Sequence, residues 1–149
     1  MKSSIATVSL PGTLREKLEL AAAAGFEGVE IYEPDLIVSD LSPTTVRRIA
    51  ADLGLQIAAL QPLCDFEAEP ERIARRNFHR AQCRREVAAA LGASILVVCS
   101  NSSAETIDDD ELAAGHLREL AELAAGLGVT GGYEAVPWAR HTRDYRHAW

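Results

Sequence analysis

Residues 20–32 read Leu-Ala-Ala-Ala-Ala-Gly-Phe-Glu-Gly-Val-Glu-Ile-Tyr, and this stretch decides the fold class. Its alanine-rich half is typical of a helix, and Gly25 suits the left-handed residue that ends one. From Val29 to Tyr32 the sequence is short and mostly apolar, as in a parallel strand that is covered on both faces. The stretch therefore predicts a helix that leads through one glycine into a strand.

The same order of elements returns three more times, around Gly54, Gly92 and Gly128, at spacings of 29, 38 and 36 residues. Helices that connect successive strands imply right-handed crossovers and a parallel sheet, so we predict an α/β protein. Strands are predicted at residues 4–9, 29–32, 57–60, 95–98 and 129–135, and helices at residues 14–24, 43–53, 70–91 and 109–127, with a fifth helix starting within residues 141–149.

The predicted helix starts have their own local signals. Thr13 and Glu16 form the T-x-x-E pattern of a capping box. Pro43 and Pro70 are each predicted to occupy the first position of a helix, where the missing backbone donor costs nothing. These signals place the start of three helices independently of the glycine repeat.

Two parallel folds can hold five strands. A flavodoxin-like doubly wound sheet fits the 149-residue length, but its ligand-binding members need phosphate-binding or acidic residues after the first strand, where residues 10–13 read Leu-Pro-Gly-Thr. A (β/α)8 barrel fits better, because eight units at this glycine spacing need roughly 250 residues or a little more, the usual barrel length. We therefore expect residues 1–149 to form one domain, an incomplete TIM barrel of about five βα units that is truncated at its C-terminus.

Composition disfavours several classes of protein. The formal net charge of −7 repels polyanions, so no nucleic-acid partner is expected. Apolar runs are too short for a signal peptide or a membrane span, which predicts a soluble protein without a membrane partner. Cys64, Cys83 and Cys99 lack a C-x-x-C pair, so neither a disulfide framework nor a structural zinc site is suggested, and a reducing, cytoplasmic compartment fits best.

Polar residues follow the apolar runs where a barrel carries its catalytic groups, at the C-terminal ends of strands. For most of them the simpler interpretation is a loop residue that satisfies backbone, and for Glu30 a buried polar network. Alternation within residues 131–135 places Gly132 and Glu134 on one face of the fifth strand, so the Glu134 carboxylate is predicted to point into the barrel. The full set is Glu30, Glu33, Gln61, Ser100, Asn101 and Glu134.

A buried carboxylate at Glu134 needs a partner, because an isolated buried charge is costly. A hard divalent cation with oxygen ligands fits, and a structural salt bridge fits equally well. Arg140 and His141 beside Trp138 could hold a substrate carboxylate, and residues 65–67 could form a substrate wall; both segments could equally be ordinary loops.

Two charged segments are interpreted as surface. The arginines of the predicted third helix, among glutamates, indicate a solvated outer face rather than a phosphate or nucleic-acid patch. The acidic run at residues 108–111 stands at a helix start, where negative charge is favourable, so capping explains it. The arginines are Arg72, Arg75, Arg76, Arg80, Arg84 and Arg85.

Several motifs together resemble a known group of barrel enzymes, the sugar phosphate isomerase/epimerase, or xylose isomerase-like, superfamily. Within it the chain is most similar to the bacterial 3-dehydroshikimate dehydratases. Residues 24–31 mark the superfamily fold, and the other motifs are narrower. Those motifs are residues 4–10 with 12–14, Gln61-Pro62 with residues 65–67, residues 98–101, and residues 133–135 with Trp138 and Arg140-His141.

The resemblance implies a divalent metal, Mg²⁺, Mn²⁺ or Co²⁺, with Glu134 as its first ligand. In such enzymes the metal chelates the oxygens of a small polyhydroxylated acid and stabilises an enolate while a base removes the proton alpha to the ketone. Loss of water then yields protocatechuate. The general base is not identified, and the implied substrate-binding residues are Gln61, Asp65, Phe66, Ser100, Asn101, Trp138 and His141.

Two other interpretations stay open. Another superfamily member, such as a sugar isomerase, an epimerase or an inosose dehydratase, would share these motifs. A non-catalytic half-barrel would bury its two open sheet edges by forming a homo-oligomer, since unpaired edges invite pairing.

The remaining metal ligands of the family lie on strands six to eight, so this chain alone is expected to bind metal weakly.

Overall fold

Strands and helices alternate along residues 2–148, the part of the chain that the computed structural model describes; of Ala124 and Ala125 only the backbone is described. The predicted domain includes residues 1 and 149, and the predicted last helix includes residue 149; these two positions lie outside the described residues. The strands are β1 (Ser4–Ala6), β2 (Gly28–Tyr32), β3 (Gln56–Leu63), β4 (Ile95–Cys99) and β5 (Thr130–Glu134). The helices are α1 (Leu14–Ala23), α2 (Glu33–Val38), α3 (Pro43–Asp52), α4 (Glu71–Leu91), α5 (Asp110–Ala125) and α6 (Tyr145–Ala148), with a 3-10 helix at Thr7–Ser9.

The strands form one sheet in the order β1-β2-β3-β4-β5, so each strand neighbours the next one along the chain. β1 pairs with β2 in parallel, and β2 pairs with β3 in parallel with one register shift between Val29 and Glu30. Sequential parallel neighbours joined by helices are the arrangement of βα units in a barrel. The predicted α/β class and strand order agree with this sheet.

The helix ends follow the glycine repeat. Gly25, Gly54, Gly92 and Gly128 have φ angles of +82°, +74°, +76° and +68°. These values lie in the left-handed region, which ends a helix and favours glycine. Each predicted passage from helix to strand therefore has the expected backbone conformation.

Helix starts agree with the capping signals at two of three places. Thr13 caps α1 in a reciprocal capping box with Glu16, and Pro43 occupies the first turn of α3. Helix α4 begins at Glu71, one residue later than predicted, so Pro70 directly precedes the helix. The Pro70 carbonyl accepts hydrogen bonds from backbone N–H groups of the first turn. The prediction of Pro70 as the first helical residue is therefore wrong by one position.

Three elements differ clearly from the predicted ones, of which β3 is longer, at Gln56–Leu63 instead of residues 57–60. β1 ends at Ala6 instead of residue 9, because Thr7 turns into the 3-10 helix and its hydroxyl accepts from the Tyr32 backbone N–H at 3.0 Å. Helix α2 was not predicted. It is six residues long and contains no buried residue, so it has no apolar stripe that a sequence pattern can reveal.

The described chain contains two compact units. The first runs to Gln61 and includes Val87–Ile95, and its core contains fully buried Leu18, Ile31, Val46 and Leu60. The second comprises Pro62–Glu86 and the residues from Leu96 onward, and its core contains buried Phe66, Ala81, Leu96, Val98 and Leu120. Most candidate site residues belong to the second unit. No helix within residues 2–148 is long and apolar enough to cross a membrane.

Candidate active site

Glu134 ends β5, and its side chain lies on the face of the strand that α5 does not cover. The preceding Tyr133 lines a cavity with Leu117 and Leu120 of α5. On the other face, the Cys99 thiol at the end of β4 donates to Glu134 Oε2 at 3.5 Å. These contacts agree with the predicted alternation along β5.

The predicted burial of Glu134 is wrong for this chain, because the residue is exposed. β5 stands at the end of the sheet order, so among the described residues no further strand covers its outer edge. The backbone of Glu134 is nevertheless well held, since its carbonyl accepts from the Ser100 N–H at 2.9 Å. The Glu134 carboxylate is therefore exposed to solvent, while the backbone that carries it is held in place by its hydrogen bond to Ser100.

Ser100 connects β4 to the segment after β5. It is 2% exposed, and its hydroxyl accepts from the Val136 N–H at 2.9 Å. Because its backbone also donates to Glu134, Ser100 positions the strand end that carries the carboxylate. Its predicted contact with substrate stays a prediction.

Glu30 and Gln61 lie side by side in the first unit. Gln61 Nε2 donates to Glu30 Oε2 at 3.2 Å, and both residues are half-buried. Pro62 restricts the residue before it to extended backbone, which limits the directions that the Gln61 side chain can take. The polar network predicted for Glu30 is present, and Gln61 belongs to it.

A second polar network surrounds Asn101, which is 1% exposed. Its Nδ2 donates to the Glu67 carbonyl at 2.7 Å and to Glu69 Oε1 at 2.9 Å. Its backbone N–H donates to Glu67 Oε1 at 2.7 Å, and the Tyr133 hydroxyl donates to the same oxygen at 2.8 Å. Asn101 therefore fastens the loop after β3, and its amide hydrogens are directed at protein rather than at a substrate.

Burial raises the pKa of the Glu67 carboxyl, because the loss of solvent outweighs the hydrogen bonds from Asn101 and Tyr133. Glu67 Oε2 and Glu69 Oε2 are buried without a hydrogen-bond partner among the described residues. The sequence placed Glu67 in a possible substrate wall and Glu69 among the charges of a solvated helix face; the second prediction is wrong, because Glu69 is buried. Nothing in the local sequence distinguishes these two buried glutamates from ordinary loop residues.

Asp65 and Phe66, the other two residues of the predicted substrate wall, are held by protein contacts. Asp65 Oδ1 accepts from the backbone N–H and the hydroxyl of Ser102, both at 3.0 Å. The Phe66 ring is 1% exposed and packs edge-on against Phe78 with 5.1 Å between ring centroids. Phe66 therefore occupies a core position, and its contact with substrate stays a prediction that this burial does not favour.

The arginine-rich helix α4 is only partly a solvated face. Arg72, Arg75 and Arg76 are exposed, as predicted. Arg80 instead donates to the carbonyls of Cys64 and Asp65, and Arg85 is 5% exposed. The prediction of a uniformly solvated face is therefore wrong at Arg80 and Arg85, because these side chains turn inward.

Trp138 and His141 follow β5 and have opposite surroundings. Trp138 is 74% exposed, so its indole is available to a ligand. The His141 side chain is 8% exposed, and its Nδ1 and Nε2 lie 2.6 Å from Asp108 Oδ1 and Asp110 Oδ1. Two carboxylates would repel an acidic substrate, so the contacts of His141 do not favour its predicted role in holding one.

Capping explains only part of the acidic run at residues 108–111. Asp109 caps α5, since its Oδ1 accepts from the Leu112 N–H at 3.0 Å. Asp110 Oδ1 lies 2.8 Å from His147 Nε2, in addition to its contact with His141. These contacts lower the pKa of Asp110, and the hydrogen bond to Asp110 raises the pKa of His147. Asp108 and Asp110 were thus wrongly interpreted as capping residues.

Cys64 and Cys99 form a pair of thiols beside the strand ends. When Cys64 is a thiolate it can accept the Cys99 hydrogen in place of Glu134, and this hydrogen bond, opposed by burial, lowers the pKa of Cys64 to about 7. The same contact, together with burial, raises the pKa of Cys99. Cys64 is therefore the more reactive member of the pair near neutral pH, because the thiolate is the nucleophilic form.

We expect the alkylation rate of Cys64 by iodoacetamide to rise with pH around a midpoint of about 7. Cys99→Ala should move this midpoint toward the ordinary thiol value, because the stabilising donor is gone, whereas Cys99→Ser keeps a donor and should retain most of the shift. Mass spectrometry of the Cys64 peptide over a pH series measures both effects. An identical midpoint in the wild type and in Cys99→Ala would contradict the role of Cys99.

Comparison with known proteins places these features in a family. The family model described as a xylose isomerase-like TIM barrel matches residues 18–149. The chain is 49% identical over 149 residues to a 3-dehydroshikimate dehydratase of Pseudomonas aeruginosa and 46% identical to one of Pseudomonas putida. In both cases the whole chain is covered, and it spans 24% of the relative's length.

Solved structures give the same fold. A xylose isomerase-like TIM barrel/4-hydroxyphenylpyruvate dioxygenase fusion protein matches with 46% identity and a TM-score of 0.97 over all of this chain and 24% of its own. The IolI protein with a bound zinc atom matches at 21% identity with a TM-score of 0.86, over all of this chain and 57% of its own. The probable 3-DHS dehydratase AsbF from Bacillus anthracis matches at 15% identity with a TM-score of 0.72, over 91% of this chain and 52% of its own. At the two lower identities the likeness concerns the fold alone.

Proposed function

Because this chain belongs to the xylose isomerase-like TIM barrel family, we propose that it supplies part of an active site that dehydrates 3-dehydroshikimate to protocatechuate. The observation that carries this proposal is the 49% identity to a 3-dehydroshikimate dehydratase. The similarity extends over all 149 residues, a range that includes the end of β5 with Glu134. The reaction removes one water from a small polyhydroxylated acid and leaves an aromatic ring.

A divalent metal ion fits the surroundings of Glu134. The carboxylate is exposed on a fixed strand end, and the contact described for it is a weak thiol donor at 3.5 Å rather than a cation. An exposed carboxylate without a cationic partner at hand suits a hard ion such as Mg²⁺, Mn²⁺ or Co²⁺. When bound, such an ion would supply electrostatic stabilisation of the negative charge that develops on the substrate oxygens.

The other residues of the second unit have narrower roles in this proposal. Ser100 holds the backbone of Glu134 and thereby its distance from the substrate. Trp138 presents an exposed indole that can cover one face of a ring-shaped substrate. Asn101 and Asp65 fix the loop after β3, so we propose that they position the site rather than contact the substrate. Gln61 of the first unit remains a predicted substrate-binding residue.

The direct test uses the complete protein that carries this sequence. It is incubated with 3-dehydroshikimate and Mg²⁺, Mn²⁺ or Co²⁺, and protocatechuate is measured by chromatography and absorbance. We expect metal-dependent formation of protocatechuate that a chelator abolishes. A panel of sugar phosphates, ketoses and inosose tests the other reactions of the family. Turnover of one of these compounds in place of 3-dehydroshikimate would replace the dehydratase proposal.

A second candidate is a non-catalytic protein that self-associates. It is favoured by the positions of β1 and β5, which stand at the two ends of the sheet order and so have one edge each without a partner strand among the described residues. Sedimentation should then show a homo-oligomer, with no dehydratase activity at any metal concentration. A monomer that forms protocatechuate would exclude this candidate.

We also propose a cytoplasmic location. Cys64, Cys83 and Cys99 are free, as is usual in a reducing compartment. Fractionation of cells, with the protein detected by an antibody, measures this directly. Recovery in an extracellular fraction would contradict the proposal.

A further inference from the structure

Asp110, His141 and His147 bring three metal-ligating side chains together outside the Glu134 site. The Nε2 atoms of the two histidines lie 2.6 Å and 2.8 Å from the same oxygen, Asp110 Oδ1. The three ligand atoms all lie within 4.8 Å of one another. We call these three residues the Asp-His cluster.

Both ring nitrogens of His141 lie against carboxylate oxygens. Asp108 Oδ1 lies 2.6 Å from His141 Nδ1, where it accepts the ring proton in one tautomer. In that tautomer the lone pair on His141 Nε2 faces the lone pairs of Asp110 Oδ1, which is repulsive. A cation placed between these atoms would attract both lone pairs.

We propose that the Asp-His cluster binds a zinc ion. Two imidazole nitrogens and one carboxylate are a ligand set that suits Zn²⁺, with a water completing a tetrahedral site. The contact from Asp108 to His141 is the carboxylate–histidine–metal arrangement that orients a ligand ring and fixes its tautomer. The cluster thus supplies the direct ligands, and Asp108 beside it supplies the supporting carboxylate.

The distances to Asp110 Oδ1 require only small adjustments. Ligand atoms placed tetrahedrally around zinc at about 2.0–2.1 Å lie about 3.3 Å from one another. To admit the ion, the contacts of 2.6 Å and 2.8 Å to Asp110 Oδ1 must lengthen by about 0.7 Å and about 0.5 Å. The Asp110 side chain is 74% exposed and that of His147 is 36% exposed, so both can rotate without disturbing the core.

This site differs from the Glu134 site in position and in chemistry. Asp110 lies in the first turn of α5, and the cluster lines a cavity of about 230 Å³ together with Ala113, Leu117 and Tyr133. Tyr133 faces α5, whereas Glu134 lies on the opposite face of β5. Nitrogen ligands favour zinc over the hard ions proposed for Glu134.

Zinc at this site would connect the short helix α6 to the start of α5. α6 has four residues, too few for a helix that is stable by itself. His147 belongs to α6 and Asp110 to α5, so one ion would hold both. Zinc binding to the folded protein should therefore raise its thermal unfolding midpoint.

The test measures zinc binding to the complete protein by competition with a chromophoric chelator. We expect the wild type to bind one zinc ion more per chain than His147→Ala or Asp110→Asn. Asp108→Asn should weaken this binding about 10- to 100-fold, the usual effect of removing a carboxylate that supports a ligating histidine. Added zinc should raise the unfolding midpoint of the wild type more than that of His147→Ala.

Two matched controls should bind zinc as the wild type does. His79→Ala removes an exposed histidine of α4, and Asp109→Asn alters the neighbouring aspartate while keeping a side chain that can cap α5. Glu134→Gln should also retain this zinc ion, which separates the result from the dehydratase proposal. Equal zinc stoichiometry and affinity in the wild type and in both ligand variants would overturn the proposal and leave a protonated ion-pair network in its place.

Discussion

Glu134→Gln should lower the dehydratase turnover number of the complete protein on the order of 10²–10³-fold, the usual cost of removing a principal electrostatic group from an active site. Glutamine keeps the size of the side chain and removes the charge that would hold the divalent ion. Steady-state formation of protocatechuate over a range of metal concentrations measures the effect. Glu134→Asp should retain intermediate activity, because it keeps the charge on a shorter side chain.

Glu122→Gln is the matched control for this substitution. It makes the same chemical change at an exposed position of α5, so its turnover should equal that of the wild type. Turnover of Glu134→Gln within twofold of the wild type at every metal concentration would remove Glu134 from the proposed metal site. That outcome would concern the metal site and not the fold, since the Glu134 side chain is exposed.

Asn101→Ala should lower the free energy of unfolding by about 3 kcal/mol or more, because each buried polar group that loses its partner costs about 1–3 kcal/mol and a charged one costs more. The substitution removes donors from the Glu67 carbonyl and from the Glu69 carboxylate. It also removes the acceptor of the Ser103 N–H, which lies 2.8 Å from Asn101 Oδ1. Urea unfolding followed by circular dichroism gives this free energy.

Glu105→Ala is the control for Asn101→Ala, since Glu105 is an exposed side chain of the same loop and should change stability by less than about 0.5 kcal/mol. Asn101→Asp should be at least as damaging as alanine, because it replaces the amide donor with a charge that faces Glu69. A loss below about 1 kcal/mol in Asn101→Ala would mean that the buried acceptors find other partners.

The parts of the fold that local chemistry decides were predictable from the sequence. Gly25 and Gly54 end helices because their backbone adopts positive φ, and Thr13 starts one because its hydroxyl accepts from the Glu16 N–H. α2 was missed because Glu33–Val38 buries no side chain and so carries no apolar period. β1 was predicted too long because its end depends on a hydrogen bond between Thr7 and Tyr32, 25 residues away.

The arrangement of the candidate site depended on distant contacts and was less predictable. The Asn101 network joins residues 34 and 32 positions apart, and no local pattern signals such a pairing. His141 lies 33 residues from Asp108, so the acidic run seemed sufficiently explained as a helix cap. The face of β5 that carries Glu134 followed from alternation, but its exposure depends on which strand lies next to β5.

The glycine that follows α3 shows how handedness, rather than volume, restricts a position. A Cβ atom added to Gly54 meets no atom within 4 Å beyond the adjoining residues of the chain, and the same holds at Gly25 and Gly128. Room for a side chain therefore exists at these junctions, but the left-handed backbone costs an L-amino acid roughly 1–2 kcal/mol. The same backbone conformation is adopted by Asp65 and Ala68 at φ angles of +52° and +54°, so the conformation favours glycine by its free-energy cost and does not exclude other residues.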